Sequence, residues 1–160
     1  MNSIVPFLWF EKEAEEAARF YVSLLPNSHL DHVTALPAES PSGPPGSVKV
    51  VEFTLAGQTY QAMEAKGADS FNHAVSLLVP CETQEEIDRL WDAHLKNGGR
   101  TEACGWLKDR WGVSWQITPR VIFDMYRSPD RAAAKRAAEA MMTMIKLDIA
   151  ALEKAFAGKN

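Results

Sequence analysis

The feature that most constrains the fold is an internal repeat, because residues 4–28 and 74–98 carry one pattern twice. At an offset of 70 residues (75 minus 5), identical residues recur at Val5/Val75, Leu8/Leu78, Glu15/Glu85, Glu16/Glu86, Arg19/Arg89, Leu25/Leu95 and Asn27/Asn97. A second match pairs 57–61 with 112–116 at an offset of 55 (112 minus 57). The Pro/Gly/Ser stretch at 37–47 accounts for most of the difference between the two offsets. The chain is therefore predicted to be a duplicated module.

Composition and charge indicate an ordinary globular protein and disfavour two classes of partner. Of the 160 residues, 46% are hydrophobic and 24% are charged, which is typical of a folded domain. A formal net charge of −4 favours neither nucleic acid nor an anionic membrane, since both are bound through clustered Lys and Arg. No apolar run has membrane-spanning length, and the first residues do not resemble a secretion signal. With only two cysteines, Cys81 and Cys104, we expect a cytoplasmic protein.

Each copy of the repeat predicts the order strand, helix, strand, strand, strand. In the first copy an apolar run at 4–10 precedes helical spacing of apolar residues over 13–25. In the second, Thr83 and Glu86 predict a capping box at the start of a helix that ends before Gly98. Segments of β-like composition follow the helices at 29–36, 48–56, 58–64, 100–108 and 112–119. We expect an α+β fold with βαβββ modules in 1–66 and 67–124.

A helical extension is predicted for 125–160, outside the repeat. Ser128, Pro129 and Asp130 are typical of a helix start, with a cap residue and a first-turn proline. One apolar stripe follows, formed by Met141, Ile145, Ile149, Leu152 and Phe156. We expect a single helix over about 129–156 that packs on a partner subunit or wraps the dimer seam, because exposing the stripe would cost roughly 1.5 to 3 kcal/mol per large side chain.

The paired modules resemble the vicinal oxygen chelate superfamily, which includes glyoxalase I, extradiol dioxygenases and bleomycin-resistance proteins. Within it, four segments are similar to the PhnB-like group, often labelled demethylubiquinone methyltransferase-like: LWFEKEAEEAARFYVSLLPNS, SLLVPCETQEEIDRLW, CGWLKDRWGVSWQITP and IKLDIAALEKAFAG. The resemblance implies a curled mixed sheet around a cavity between the modules, and a homodimer. The label does not establish methyl transfer, because no Gly-rich turn joins a strand to a helix.

The metal enzymes of this superfamily take ligands from the first and last strand of each module. Carried through the repeat, those positions fall at Pro6, Gln61, Ser76 and Gln116. Proline has no side-chain donor, and hydroxyl and amide groups do not neutralise a divalent cation. We therefore expect no metal and no other cofactor. His29 and His32 do not substitute, since residues three apart on a strand point to opposite faces.

Alternation along the strands predicts which side chains line the cavity. In 113–118 the odd positions are apolar, which leaves Ser114, Gln116 and Thr118 on the concave face. The repeat assigns the same face to Thr59, Gln61, Met63, Ile4, Leu8, Phe10, Ala74, Ser76 and Leu78. Such an apolar cavity with two amides suits a small neutral or weakly polar ligand. Gln61 and Gln116 are equally well explained as amides that hydrogen-bond each other or nearby backbone.

Other chemically active residues have simpler structural explanations. Cys81 and Cys104 lack a neighbouring His or Lys and are typical small buried residues. His73 precedes the first strand of the second module and is expected in a loop. Three tryptophans, Trp106, Trp111 and Trp115, favour hairpin core packing over an aromatic box.

The sequence predicts a PhnB-like domain without the superfamily metal site that binds a small molecule, with ligand contacts from the cavity residues. Whether it is an enzyme is left open. One alternative is a metal-dependent lyase or dioxygenase. Another is a dimerising interaction module whose cavity is closed by its own side chains.

Overall fold

Each half of the chain folds as one β-α-β-β-β module, in the order that the repeat predicts. A computed structural model describes residues 3–159. Two units are distinguished, Met1–Ser70 and Phe71–Asn160, and each contains one four-stranded mixed sheet. The predicted α+β class and the βαβββ modules are confirmed.

Within residues 3–70, the first unit contains one helix and four strands. Its elements are β1 (Phe7–Phe10), α1 (Ala14–Leu24), β2 (His29–Ala35), β3 (Lys49–Leu55) and β4 (Gln58–Glu64). The strand order is β1-β4-β3-β2, with β1 parallel to β4 and the other pairs antiparallel. Helix α1 buries the ring of Tyr21 against Phe53, with ring centroids 6.4 Å apart. The Glu64 carboxylate accepts a hydrogen bond from the Ala14 amide, 3.1 Å away, which satisfies one donor at the helix start.

Within residues 71–159, the second unit repeats this arrangement and adds three helices. Its elements are β5 (Ser76–Cys81), α2 (Gln84–Lys96), β6 (Arg100–Thr101), β7 (Trp106–Lys108), β8 (Ser114–Pro119), α3 (Val121–Arg127), α4 (Arg131–Met142) and α5 (Ile149–Phe156). The strand order is β5-β8-β7-β6, again with the first and last strands parallel. The predicted capping box is present, since Thr83 accepts from the Glu86 amide and the Glu86 side chain accepts from the Thr83 amide. In residues 3–159, no helix is both long and apolar enough to cross a membrane.

The prediction of a single C-terminal helix over 129–156 is wrong, because this segment forms two helices, α4 and α5, with a non-helical stretch between them. Between them, the Met144 and Ile145 carbonyls accept hydrogen bonds of 2.8 Å from the amides of Cys104 and Gly105. These two carbonyls therefore accept hydrogen bonds from the turn before β7 instead of from amides of a continuous helix.

The apolar stripe is divided by this break. Leu152 is buried with Ile122, Met125 and Ala137, and Met141 and Phe156 pack against that cluster, whereas Ile145 is 57% exposed. The physical reason given for a helix clamped on a partner subunit therefore does not hold, since much of the stripe is covered within the chain.

The two modules match with a one-residue shift that the sequence offset does not reveal. Phe7 lies opposite Gln61 and Leu78 lies opposite Gln116, so the first strands correspond at an offset of 71 (78 minus 7). The helices α1 and α2 correspond at 70 (84 minus 14). The predicted equivalence of Gln61 with Gln116 agrees with these registers, whereas that of Val5 with Val75 is wrong. The extra residue lies between β1 and α1, where Glu13 adopts a left-handed φ of 64°.

A buried carboxylate organises the hairpin between β7 and β8. Asp109 is 4% exposed, and its Oδ1 accepts hydrogen bonds from the amides of Trp111 and Val113 at 2.9 and 3.0 Å. Its Oδ2 accepts from the indole Nε1 of Trp115 at 3.0 Å. The loop is therefore held by side-chain acceptors that also fix a core tryptophan.

Replacing this carboxylate should strongly destabilise the protein. We expect Asp109→Ala to lower the free energy of unfolding by about 3 kcal/mol or more, because it removes the acceptor of three donors, two of them buried. Denaturant unfolding followed by tryptophan fluorescence measures the change. The exposed Asp124→Ala in α3 is the control, expected within about 0.5 kcal/mol of wild type. Equal stability of the two variants would contradict this role for Asp109.

The buried imidazole of His94 makes stability depend on pH. His94 lies in α2, is 1% exposed and has its ring centroid 4.7 Å from that of Trp115. Burial lowers the pKa of His94 from 6.5 to about 4. The unfolded chain therefore binds a proton that the folded chain does not, between those two pH values.

We expect the free energy of unfolding to decrease as pH falls from 6.5 to about 4, with a contribution from His94 of at most about 3 kcal/mol. Above pH 6.5 the imidazole is neutral in both states and contributes no pH dependence. His94→Phe should remove this part of the pH dependence in denaturant titrations. His29→Gln, which changes an exposed histidine, should retain it. The same pH slope in His94→Phe and wild type would refute the assignment.

Candidate functional site

Each sheet has one face packed on its own helix and an opposite face, which we call the distal face. In β4, Ala62 is 1% exposed and lies opposite the buried Val51, so these residues belong to the helix side. Alternation then places Thr59, Gln61 and Met63 on the distal face. Val113, just before β8, and Trp115 and Ile117 within it are buried as predicted, and Ser114, Gln116 and Thr118 alternate with them.

The distal face of the first sheet carries a polar row across its strands. The row runs from His32 in β2 to Glu52 in β3 and Gln61 in β4, each opposite the next. It ends at the apolar Phe7 in β1, which lies opposite Gln61. The Gln61 amide Nε2 donates to Glu52 Oε1 at 3.1 Å. The amide is therefore held by a carboxylate of its own sheet.

Two predicted cavity residues of this unit lie on the other face. Leu8 is opposite Ala62 and Phe10 is opposite Glu64, and Phe10 is only 3% exposed. They point to the helix side, so their predicted place beside Gln61 is wrong. The cause is the one-residue shift of β1, since a shift by one residue exchanges the two faces of a strand. Phe7 and Trp9 occupy the distal face instead, opposite Gln61 and Met63.

The distal face of the second sheet brings together the predicted polar residues of that module. Ser76 lies opposite Ser114, and Leu78 lies opposite Gln116. The Gln116 amide Nε2 donates to the Ser76 hydroxyl at 2.8 Å. Ser114 is fully buried and Thr118 is 7% exposed. This face therefore carries an amide and hydroxyl groups, of which those of Ser114 and Thr118 are buried, without the carboxylate that Gln61 has as its partner.

A second cluster on this face was not predicted. Glu102 follows β6, and its amide donates to the Trp106 carbonyl at 2.9 Å. The Glu102 carboxylate Oε2 lies 2.8 Å from Nε2 of His73, and its Oε1 lies 4.0 Å from the Lys108 ammonium. The His73 ring centroid is 5.9 Å from that of Trp106. His73 is in a loop as expected, but that loop brings it to the last two strands of the sheet.

Sequence reasoning missed this cluster because the two partners are 29 residues apart in the chain. The sequence does contain a pattern that indicates part of this cluster, since Glu102, Trp106 and Lys108 are all at even positions. Alternation places their side chains on the same face of the strands before β8, which is the distal face.

The two histidines of β2 lie on the same face, which corrects the prediction that they point apart. His29 is opposite Thr54 and His32 is opposite Glu52, and the register shifts between Leu30 and His32. This β-bulge adds a residue, so positions three apart regain the same face. His29 is bound locally, with Nε2 3.1 Å from Asp31 Oδ1.

Neither cysteine has the surroundings of an activated nucleophile. Cys81 is buried, and burial, together with the nearby Glu86 carboxylate, raises the pKa of its thiol to about 11. Such a thiol carries little thiolate near neutral pH. Cys104 is half-buried in the turn before β7, whose amides donate hydrogen bonds to the segment between α4 and α5.

The residues at the ligand positions of the superfamily do not fit a divalent metal. Pro6 has no side-chain donor, Ser76 accepts from Gln116, and Gln61 donates to Glu52. With the first strands aligned at the offset of 71, Val5 replaces Pro6 as the counterpart of Ser76 (76 minus 5), and valine is no better a ligand. Among residues 3–159, no three His, Cys, Asp or Glu side chains are grouped to hold a metal ion.

The absence of a resident metal remains a prediction that elemental analysis tests. Protein purified without chelator should contain clearly substoichiometric zinc, nickel, iron and manganese, because amide, hydroxyl and proline groups do not neutralise a dication. The prediction would be contradicted if the wild type contained one equivalent of any of these metals. If the Gln61→Leu and Gln116→Leu variants then lacked it, the amides would be its ligands.

Comparison with known proteins identifies relatives over most of the chain. A family model described as 3-demethylubiquinone-9 3-methyltransferase matches residues 2–118. A PhnB protein of Bacillus cereus, described under the same methyltransferase name, shares 35% sequence identity. Their alignment covers 74% of this chain and 99% of that chain with a TM-score of 0.63. No curated protein sequence matches significantly.

More distant solved structures share the fold alone. The trypanothione-dependent glyoxalase I of Leishmania major is 11% identical over 87% of this chain and 97% of its own, with a TM-score of 0.53. The fosfomycin resistance protein FosX of Mesorhizobium loti is 10% identical over 79% and 98%, with a TM-score of 0.56. The fold predicted from the repeat is therefore the glyoxalase-like one.

Proposed function

Because the chain belongs to the 3-demethylubiquinone-9 3-methyltransferase family, a PhnB-like branch of the vicinal oxygen chelate superfamily, we propose that it binds a small neutral or weakly polar molecule without a metal ion. The ligand contacts are assigned to the distal faces of the two sheets. The carrying observation is that Gln61 and Gln116, at corresponding register positions, both lie on these faces.

An amide side chain supports recognition of a neutral ligand for a simple reason. Each glutamine offers two N–H donors and one carbonyl acceptor. Gln116 uses one donor on Ser76 and Gln61 uses one on Glu52, so each amide is oriented by its own sheet and has further hydrogen-bonding capacity. Uncharged groups suit hydroxyl and carbonyl functions better than ionised ones.

Apolar side chains accompany both amides. Phe7 is 51% exposed opposite Gln61, and Leu78 is 43% exposed opposite Gln116. Exposed apolar surface next to a hydrogen-bonding amide is the usual composition of a small-molecule site. Methyl transfer, which the family description names, is not part of this proposal, since the sequence has no Gly-rich strand-to-helix turn for a nucleotide-like cofactor.

One alternative also has support in the structure. The hydrogen bonds from Gln61 to Glu52 and from Gln116 to Ser76 satisfy these amides without a ligand. That favours a dimerising interaction module. The exposed Phe7, Trp9 and Leu78 are then contacts for a second copy of the chain, and the homodimer predicted from the sequence remains a proposal in either case.

A ligand test separates these two functions. Protein purified under native conditions should release a small molecule on denaturation, identified by mass spectrometry, and its dissociation constant should be measured by calorimetry. We expect Gln61→Leu and Gln116→Leu each to weaken binding about tenfold, the effect of losing one net hydrogen bond.

Gln58→Leu is the matched control, because Gln58 is an exposed residue of β4 opposite the buried Leu55, on the helix side. It should leave the dissociation constant unchanged. If neither the wild type nor the three variants release a small molecule, the interaction module is the better supported function.

A further inference from the structure

The pairing of His73 with Glu102 orients an imidazole on the distal face of the second sheet. Nε2 of His73 lies 2.8 Å from Oε2 of Glu102. An ionised carboxylate has only acceptors, so this bond requires the proton on Nε2. The same carboxylate has the Lys108 ammonium 4.0 Å from its other oxygen and its backbone amide bonded to Trp106. Glu102 is thus fixed at both its side chain and its backbone.

This tautomer leaves Nδ1 of His73 with its lone pair, which is what a proton acceptor needs. A carboxylate that holds one ring nitrogen of a histidine also stabilises the imidazolium formed when the other nitrogen takes a proton. The His73 side chain is 58% exposed, so a small molecule has access to it. His29 is 59% exposed and pairs with Asp31 Oδ1 at 3.1 Å, on the first sheet.

The surroundings of His73 indicate the class of molecule. The flat indole of Trp106 lies beside the imidazole, at 5.9 Å between centroids, and offers a stacking surface. Gln116 is directly opposite Trp106 in the antiparallel pair β7–β8, which brings their Cβ atoms to about 5 Å. With one amide N–H on Ser76, the second N–H of Gln116 is available to a carbonyl oxygen.

We infer that His73 removes a proton from the carbon next to a carbonyl group in a flat small molecule stacked on Trp106. This inference rests on the proposed function, since it names the substrate class for the distal face of the second sheet. Glu102 is a positioning residue that sets the tautomer. Gln116 binds the carbonyl oxygen, on which charge develops.

The step is balanced without any co-reactant. The C–H bond breaks, its proton goes to Nδ1 of His73, and its electron pair forms a carbon–carbon double bond. The carbonyl π pair moves to oxygen, giving an enolate that accepts the Gln116 N–H. Return of a proton from Nδ1 to either carbon or oxygen restores a neutral product, so the reaction is an exchange or a keto–enol isomerisation.

The tautomer is tested first, on the free protein. Two-bond proton–nitrogen NMR spectra of histidine-labelled protein, at about pH 8 where imidazoles are largely neutral, should show the Nε2–H form for His73. Glu102→Gln should reduce that preference, and Glu102→Asp should retain more of it. A predominant Nδ1–H form in wild type would overturn the inference.

Proton removal is tested with 2-indanone, a flat aromatic ketone, in deuterated buffer. The protein should accelerate loss of the proton signal next to the carbonyl above the buffer rate. His73→Gln should lower kcat about 100-fold or more with KM unchanged, the usual size of a general-base effect. Glu102→Gln should lower kcat less than His73→Gln does, with partial rescue by Glu102→Asp. Trp106→Leu should mainly raise KM.

Gln58→Leu, an exposed residue on the helix side of β4, is the control and should leave kcat and KM unchanged. Equal exchange by His73→Gln and wild type, or no exchange above buffer, overturns the inference whether or not the ketone binds. The proposed function is judged separately, by release and rebinding of the native small molecule, so the two failures are distinguishable.

Discussion

The parallel pairing of the first and last strand in each module is the constraint on which the rest of the structure depends. It places β1 beside β4 and β5 beside β8, and one helix then covers one face of each sheet. Buried residues such as Phe53 and Trp115 face the helix, so their neighbours along the strand must face away. The location of Gln61 and Gln116 on the distal faces follows from this pairing.

The two modules stabilise the equivalent hairpin by different means. In the first, Ala56 and Gly57 have φ of 48° and 82°, the two positive values of a tight type I′ turn between β3 and β4. In the second, the longer loop between β7 and β8 is held by the Asp109 carboxylate. The same carboxylate binds the indole of Trp115, so the loop and the core are fixed together. The register that presents Gln116 is therefore tied to a buried hydrogen-bond network.

The sequence predicted the features that depend on periodicity and missed those that depend on single residues. The modules, their helices α1 and α2 and the alternation in β8 follow from spacing, which is why they agree with the structure. The shift of β1 comes from one added residue before α1, near Glu13, and the bulge near Asp31 comes from another. Each exchanges the faces of a strand without changing its composition, so no pattern reports it.

The break between α4 and α5 was missed for a different reason. Residues 143–148 have no proline or glycine, so local propensity favours a continuous helix. Hydrogen bonds to Cys104 and Gly105 and burial of Leu147 compensate for the helical bonds lost there. The Leu147 side chain fits only because residue 105 is glycine, since an added Cβ would come within 2.8 Å of it. Tertiary contacts therefore override local preference at this point.

Duplication has also produced two chemically different faces from one topology. On the first sheet the Gln61 amide donates to the Glu52 carboxylate, and Glu52 lies opposite His32 on the next strand. On the second sheet the Gln116 amide donates to the Ser76 hydroxyl. The carboxylate on that face, Glu102, pairs with the His73 imidazole and not with the amide. A carboxylate bonded directly to the amide competes with a ligand for its donors. A carboxylate bonded to an imidazole instead leaves the amide donor of Gln116 to a neutral hydroxyl and fixes the orientation of the imidazole, so the two faces differ in chemistry although their strands pair in the same way.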